Sequence, residues 1–172
     1  MKLWTTLAVA ALVAAGPAFA DGLTVGVMGG KHNGYERFGA NLRLSPMWER
    51  DWGGWHAALH PEFELTHFRH EGGNGPDALN EAGGLGLLRM TYGEAGLRPY
   101  AEIGLGGALL SRTRLGPKEL STNFQFTERL GLGLEFGRRF SAGWRFSHYS
   151  NADIAKPNDG LDVHEVVLGL KF

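Results

Sequence analysis

The side chains best equipped for chemistry lie close together near the end of the chain, in His148-Tyr149-Ser150-Asn151-Ala152 and then Pro157-Asn158-Asp159-Gly160-Leu161-Asp162. A serine hydroxyl is a weak nucleophile until a base takes its proton. A neutral imidazole does so near neutral pH, and a carboxylate fixes the imidazole tautomer and stabilises the imidazolium that forms. Ser150, His148 and Asp162 supply these three groups, and the chemistry they suit is acyl transfer through a serine ester. Such a reaction also needs donors for the developing oxyanion. Asn158, Asn151 and backbone amides of residues 151–161 are the candidates, although Pro157-Asn158-Asp159-Gly160 reads equally well as turn chemistry. The His-x-Ser spacing says little by itself. It gains meaning only if the surrounding elements put all three groups on one face.

The elements are strands. Alternation with period two recurs along the chain, and helical periodicity is poor. Between residues 123 and 136, Phe124, Phe126, Leu130, Leu132, Leu134 and Phe136 share one parity, with Glu128 as the exception on it. Gln125, Thr127, Arg129, Gly131, Gly133 and Glu135 share the other. The stretches 38–45, 55–65 and 100–106 repeat the pattern. The apolar parity is rich in Leu and Phe. The polar parity carries Glu, Arg, His and Gly, too few bulky apolar groups to fill a core. That distribution predicts a lipid-facing wall around a polar interior; a soluble lipid-binding barrel shares the alternation and is the alternative.

Eight strands are expected, near 23–29, 36–46, 55–68, 82–91, 98–110, 122–136, 143–151 and 162–172: an all-β, eight-stranded antiparallel transmembrane β-barrel. With both chain ends in the periplasm, the outer loops fall near 30–35, 69–81, 111–121 and 152–161, and the inner turns near 47–54, 92–97 and 137–142. Trp144, Phe146, His148 and Ser150 then share the outward parity. So do Asp162, His164, Val166, Leu168, Leu170 and the aromatic last residue Phe172. The three reactive groups can therefore converge on the outside of two adjacent strands, at the outer rim. Polar groups on a lipid-facing stripe are costly unless satisfied or useful.

Ahead of the barrel, residues 1–20 read as an export signal. Lys2 opens it, an apolar run from Leu3 to Ala15 follows, Gly16-Pro17 breaks it, and Ala18-Phe19-Ala20 supplies small residues for cleavage after Ala20. The run is shorter than the roughly 20 residues a membrane-spanning helix needs. The protein is expected to leave the cytoplasm for the outer membrane, with residues 21–172 as the barrel. The chain of 172 residues has no cysteine, which excludes thiol catalysis and disulfides, and its net charge of -1 gives no ground for nucleic-acid binding. Its 27 glycines exceed the roughly 12 of average usage and suit tight turns and close strand packing.

Other polar residues invite plainer readings. Glu165 rivals Asp162 for the third catalytic role, but its parity faces the interior. His56 and His60, with Glu62 and Glu64, are expected in an interior hydrogen-bond network rather than a metal site. His67 and His70 are expected to be solvated beside an outer loop, and His164 to be structural. Trp48, Trp52 and Trp55 read as an interfacial belt. Lys31, Arg112, Arg114, Lys118 and Lys156 sit near the outer loops, where phosphates could meet them, although acidic neighbours make a solvated surface the plainer reading.

The stretch from Phe146 to Ala152, the downstream Pro157-Asn158-Asp159-Gly160-Leu161-Asp162 and the terminal aromatic resemble the PagL family of lipid A 3-O-deacylases. The resemblance implies a calcium-independent serine esterase without cofactor or metal. It would release the 3-hydroxyacyl chain ester-linked at the 3 position of lipid A. Ser150 would be the nucleophile, His148 the base and acid, Asp162 the orienting acid, Asn158 an oxyanion donor and Asn151 a support. Some relatives carry Glu where this chain has Asp162, and some carry glycine where it has Asp153. Lipopolysaccharide in the outer membrane is the implied partner, and a homodimer is left open. Alternatives are a non-catalytic structural or adhesive barrel and a different acyl-transfer enzyme acting on lipid A or phospholipid.

Overall fold

The computed structural model describes residues 22–72 and 75–172. The expected signal segment, and Gly73-Asn74 of a glycine-rich loop, lie outside the described residues. The strands are β1 (Thr24–His32), β2 (Tyr35–Arg43), β3 (Trp48–Trp52), β4 (Trp55–His70), β5 (Ala78–Tyr92), β6 (Leu97–Leu110), β7 (Arg114–Leu115), β8 (Lys118–Glu119), β9 (Phe124–Phe136), β10 (Phe140–Ser150) and β11 (Leu161–Lys171).

Eight of them form a closed antiparallel barrel. Its order is β2-β1-β11-β10-β9-β6-β5-β4, and β2 pairs back onto β4. Closure leaves no unpaired sheet edge, which a lipid environment could not satisfy. The alternation reads as expected: Leu65, Leu105 and Leu132 are 70%, 64% and 57% exposed on the outer wall, whereas Arg37 and Arg145 are fully buried.

Three short strands were not expected. β3 occupies the stretch read as the inner turn 47–54, and Leu44-Ser45-Pro46, read as strand, interrupts pairing instead. Between the paired positions Arg43↔Glu62 and Trp48↔Leu59, four residues on one side face two on the other. Pro46 has no N–H to offer a ladder, so the chain bulges there and resumes pairing as β3. The His60 imidazole Nδ1 donates to the Leu44 carbonyl at 2.9 Å within this bulge. The other two strands, β7 and β8, form a small hairpin inside the long loop between β6 and β9.

The lumen has three zones. At the end carrying the long loops, Tyr35, Phe68, Leu79, Leu110, Leu115, Leu120, Tyr149, Leu161 and Val163 form an apolar plug. Across the middle, five arginines and five glutamates are buried among the described residues. They interlock: Arg37 meets Glu165 at 2.6 Å and Glu81 at 2.8 Å, and Arg145 meets Glu62 and Glu102 at 2.9 Å each. At the opposite end a cavity of about 880 Å³ opens among Arg98, Arg138, Arg139 and Lys171.

Candidate active site

β10 and β11 run side by side with His148 directly opposite Asp162. Both side chains stand on the outer wall, about one-third exposed. Their contact is close, His148 Nδ1 to Asp162 Oδ1 at 2.6 Å. A carboxylate oxygen accepts, so Nδ1 is the donor, and in the neutral ring Nε2 is the bare nitrogen that can act as a base. Ser150 lies two residues further along β10, on the same face and half-buried. Among the described residues no hydrogen bond joins Ser150 to His148. Such pairs are often long until substrate tightens them.

Beyond Ser150 the chain turns sharply. Ala152 and Asp153 both adopt left-handed backbone conformations, with φ of 53° and 62°. The turn brings Asn158 back over Ser150's strand end, where its Oδ1 accepts from the Asn151 amide at 3.1 Å. Asn158 Nδ2 donates to Asp153 Oδ1 at 3.3 Å, and its second hydrogen is available for a ligand. Asn151 differs: its Nδ2 donates to the carbonyls of Leu120 and Ala155, at 2.8 and 2.9 Å. Both of its amide hydrogens are spent inside the fold, so it holds the loop rather than facing substrate.

Below the His–Asp pair the wall is aromatic. His164 stacks on Trp144 with ring centroids 5.7 Å apart and tilts against Phe146 at 5.2 Å. Opposite this, on β9, Glu128 pairs in register with His148 and is exposed on the same outer face. The parity exception in the sequence thus lands beside the candidate base.

The sequence and the fold have named counterparts. Residues 36–171 match the family model described as PagL, lipid A 3-O-deacylase. The chain is 31% identical over 169 residues to the lipid A deacylase PagL of Bordetella bronchiseptica (strain ATCC BAA-588 / NCTC 13252 / RB50), covering 97% of this chain and 92% of that one. It is 29% identical over 131 residues to the lipid A deacylase PagL of Pseudomonas aeruginosa strain PAO1, covering 74% and 76%. The chain belongs to the PagL family. A crystal structure of the outer membrane enzyme PagL superposes with a TM-score of 0.78 at 21% identity, over 87% of this chain and 99% of that one, and shares its fold. The chain is accordingly an outer-membrane barrel and an ester hydrolase.

Within this PagL-family barrel the remaining candidates sort themselves. Glu165, the rival carboxylate, is buried in the lumen on Arg37. His56 pairs with Asp51 of β3 at 2.7 Å and is part-exposed, so neither it nor His60 joins Glu62 and Glu64 as expected. The two glutamates are instead taken by arginines. His67 and His70 are not simply solvated: His67 bonds to Asn80 at 2.7 Å, and His70 stacks on Tyr35 at 4.7 Å. Trp48, Trp52 and Trp55 are exposed on the β3–β4 hairpin, as a belt requires. Lys118, read as a solvated loop cation, donates to the Gly160 carbonyl of the loop carrying Asn158 at 2.6 Å. Sequence patterning held no signal for that, because Lys118 lies in a strand of only two residues far from the motif.

Proposed function

We propose that this chain hydrolyses the ester-linked 3-hydroxyacyl chain at the 3 position of lipid A in the outer leaflet, through Ser150, His148 and Asp162. The observation that carries the reading is the 2.6 Å His148–Asp162 contact on the outer wall, with Ser150 on the same face one step nearer the loops. The loop end is then the cell exterior, and the acyl chain lies along Trp144 and Phe146.

His148 Nε2 takes the Ser150 hydroxyl proton as Oγ attacks the ester carbonyl carbon. Asn158 Nδ2, with the backbone amide of Asp153, donates to the oxyanion. Collapse breaks the bond to the sugar oxygen, which takes the proton back from the imidazolium. Water entering at the rim repeats the sequence on the acyl-serine, and the free 3-hydroxy fatty acid leaves. Asp162 keeps the proton on Nδ1 throughout and stabilises the charged imidazole. Neither metal nor cofactor is required by these steps.

The test is expression in a Gram-negative host followed by mass spectrometry of its lipid A. The expected result is loss of one 3-hydroxyacyl chain with the intact protein and none with Ser150→Ala. Unchanged lipid A from the intact protein, or equal loss with the alanine variant, overturns the reading.

A further inference from the structure

The β7–β8 hairpin lies over the plugged mouth of the barrel with Leu115 and Leu120 fully buried in the plug. From that anchorage it grips the loop of Asn158 on both sides. On one side Ser121 Oγ donates to the Pro157 carbonyl at 2.7 Å. On the other, the Glu119 amide donates to Asp159 Oδ2 at 2.7 Å, and the Asp159 amide to the Glu119 carbonyl at 3.3 Å. The centre of the grip is Lys118. Its ammonium donates to two consecutive carbonyls, Asp159 at 3.2 Å and Gly160 at 2.6 Å.

Two carbonyl dipoles pointing at one spot repel each other unless a cation sits between them. Gly160 has no side chain to hold its peptide planes, and its φ of +61° is one of several that glycine visits readily. Charge-assisted bonds from Lys118 therefore set the orientation of this segment. The segment touches the chemistry at two points. Asn158 is the residue between Pro157 and Asp159. Gly160 lies so close to the imidazole that a Cβ there would stand 3.4 Å from His148 Cε1.

We propose that Lys118 is a positioning residue for catalysis, acting through the carbonyls of Asp159 and Gly160 to hold the Asn158 amide and the His148 ring in place. This rests on the deacylase reading above. A cation at the rim has an obvious rival role, binding a phosphate of the substrate headgroup, and the two roles separate kinetically. Loss of positioning lowers kcat and leaves KM; loss of phosphate binding raises KM. A misplacement of about 1 Å can cost up to about a hundredfold in rate.

The experiment uses the full barrel in detergent, with each variant's fold checked by heat-modifiable migration on gels. Lys118→Met is expected to lower kcat on lipid A about tenfold or more, with KM within about twofold. The rate at which a fluorophosphonate labels Ser150 should fall in parallel, although that probe carries no headgroup. Lys118→Arg should restore most of both, and Ser121→Ala should show the same signature in weaker form. Should Lys118→Met fail to fold, Ser121→Ala decides by the same two readouts. Normal labelling in the folded variant, or a defect confined to KM and absent on dephosphorylated lipid A, overturns the proposal while leaving the deacylase reading intact. Wild-type protein that neither labels nor deacylates overturns both.

Discussion

Asp162 is the short carboxylate of the proposed triad. It reaches because β10 and β11 pair in a register that sets it squarely opposite His148, closing a 2.6 Å contact. Asp162→Asn presents an amide that can donate to Nδ1 and so favours the wrong tautomer. A kcat loss of roughly 10⁴-fold is expected, the scale seen for that change in Ser-His-Asp triads. Asp162→Glu should retain far more activity than the amide. Deacylation rates on purified lipid A measure both, and an Asn variant within tenfold of wild type would remove Asp162 from the mechanism. Gly160 is a second sharp case. Its left-handed backbone penalises any side chain by about 1–2 kcal/mol, and an added Cβ would press on the Tyr149 carbonyl at 3.1 Å and already touch His148 Cε1 at 3.4 Å, so the γ-methyls of a valine would push against the ring. Gly160→Val should therefore lose activity by more than its stability change accounts for. Paired kinetic and urea-unfolding measurements check this, and proportionate losses would argue against a close role for Gly160.

At the scale of the strand, the wall that carries these residues must face hydrocarbon. Leu132 sits in β9 directly opposite Trp144 and is 57% exposed. Were the barrel soluble, Leu132→Arg would be nearly neutral, as surface changes usually are. In a membrane barrel an arginine near the midplane costs about 2–4 kcal/mol. Urea unfolding from lipid vesicles should show a loss of that size, and no loss would mean that this face is not in lipid. The same alternation explains what could be read ahead of the structure. The parity of Phe146, His148 and Ser150, and of Asp162 with the apolar residues after it, placed the reactive groups on one outer face. It also sent Glu165 inward. Three features escaped. β3 follows from Pro46 and a two-residue excess across the β2–β4 seam, which depends on pairing partners distant in sequence. The β7–β8 hairpin has strands of two residues each, too short for any periodicity. Lys118 acts through two backbone carbonyls, and backbone acceptors leave no trace in residue identity.

The whole barrel has to hold its shape around a lumen filled with charge. Among the described residues the ten buried lumen charges balance in sign, and each is held by neighbours from other strands. Arg37 is the densest node. From β2 it reaches Glu64 on β4 at 2.9 Å, Glu81 on β5 at 2.8 Å and Glu165 on β11 at 2.6 Å. It thus ties four strands together across the closure seam. Buried ion pairs need not be more stabilising than apolar packing of the same volume, but removing one partner strands the others. Arg37→Met leaves Glu64 and Glu165 with Arg129 and takes from Glu81 its ion pair with Arg37, so the barrel should lose about 3–5 kcal/mol. Replacing Glu81 as well, in Arg37→Met/Glu81→Gln, removes one of the stranded charges and should recover part of that loss, giving a non-additive double-mutant cycle. Ser150 and His148 lie on the opposite face of the wall, so kcat per folded molecule should change by less than about threefold, far from the roughly tenfold effect of a loosened catalytic loop. Urea unfolding in detergent together with active-site titration separates the two quantities. A single variant within about 1 kcal/mol of wild type, or a strictly additive double variant, would show that the lumen charges are held independently and that Arg37 is no keystone of the seam.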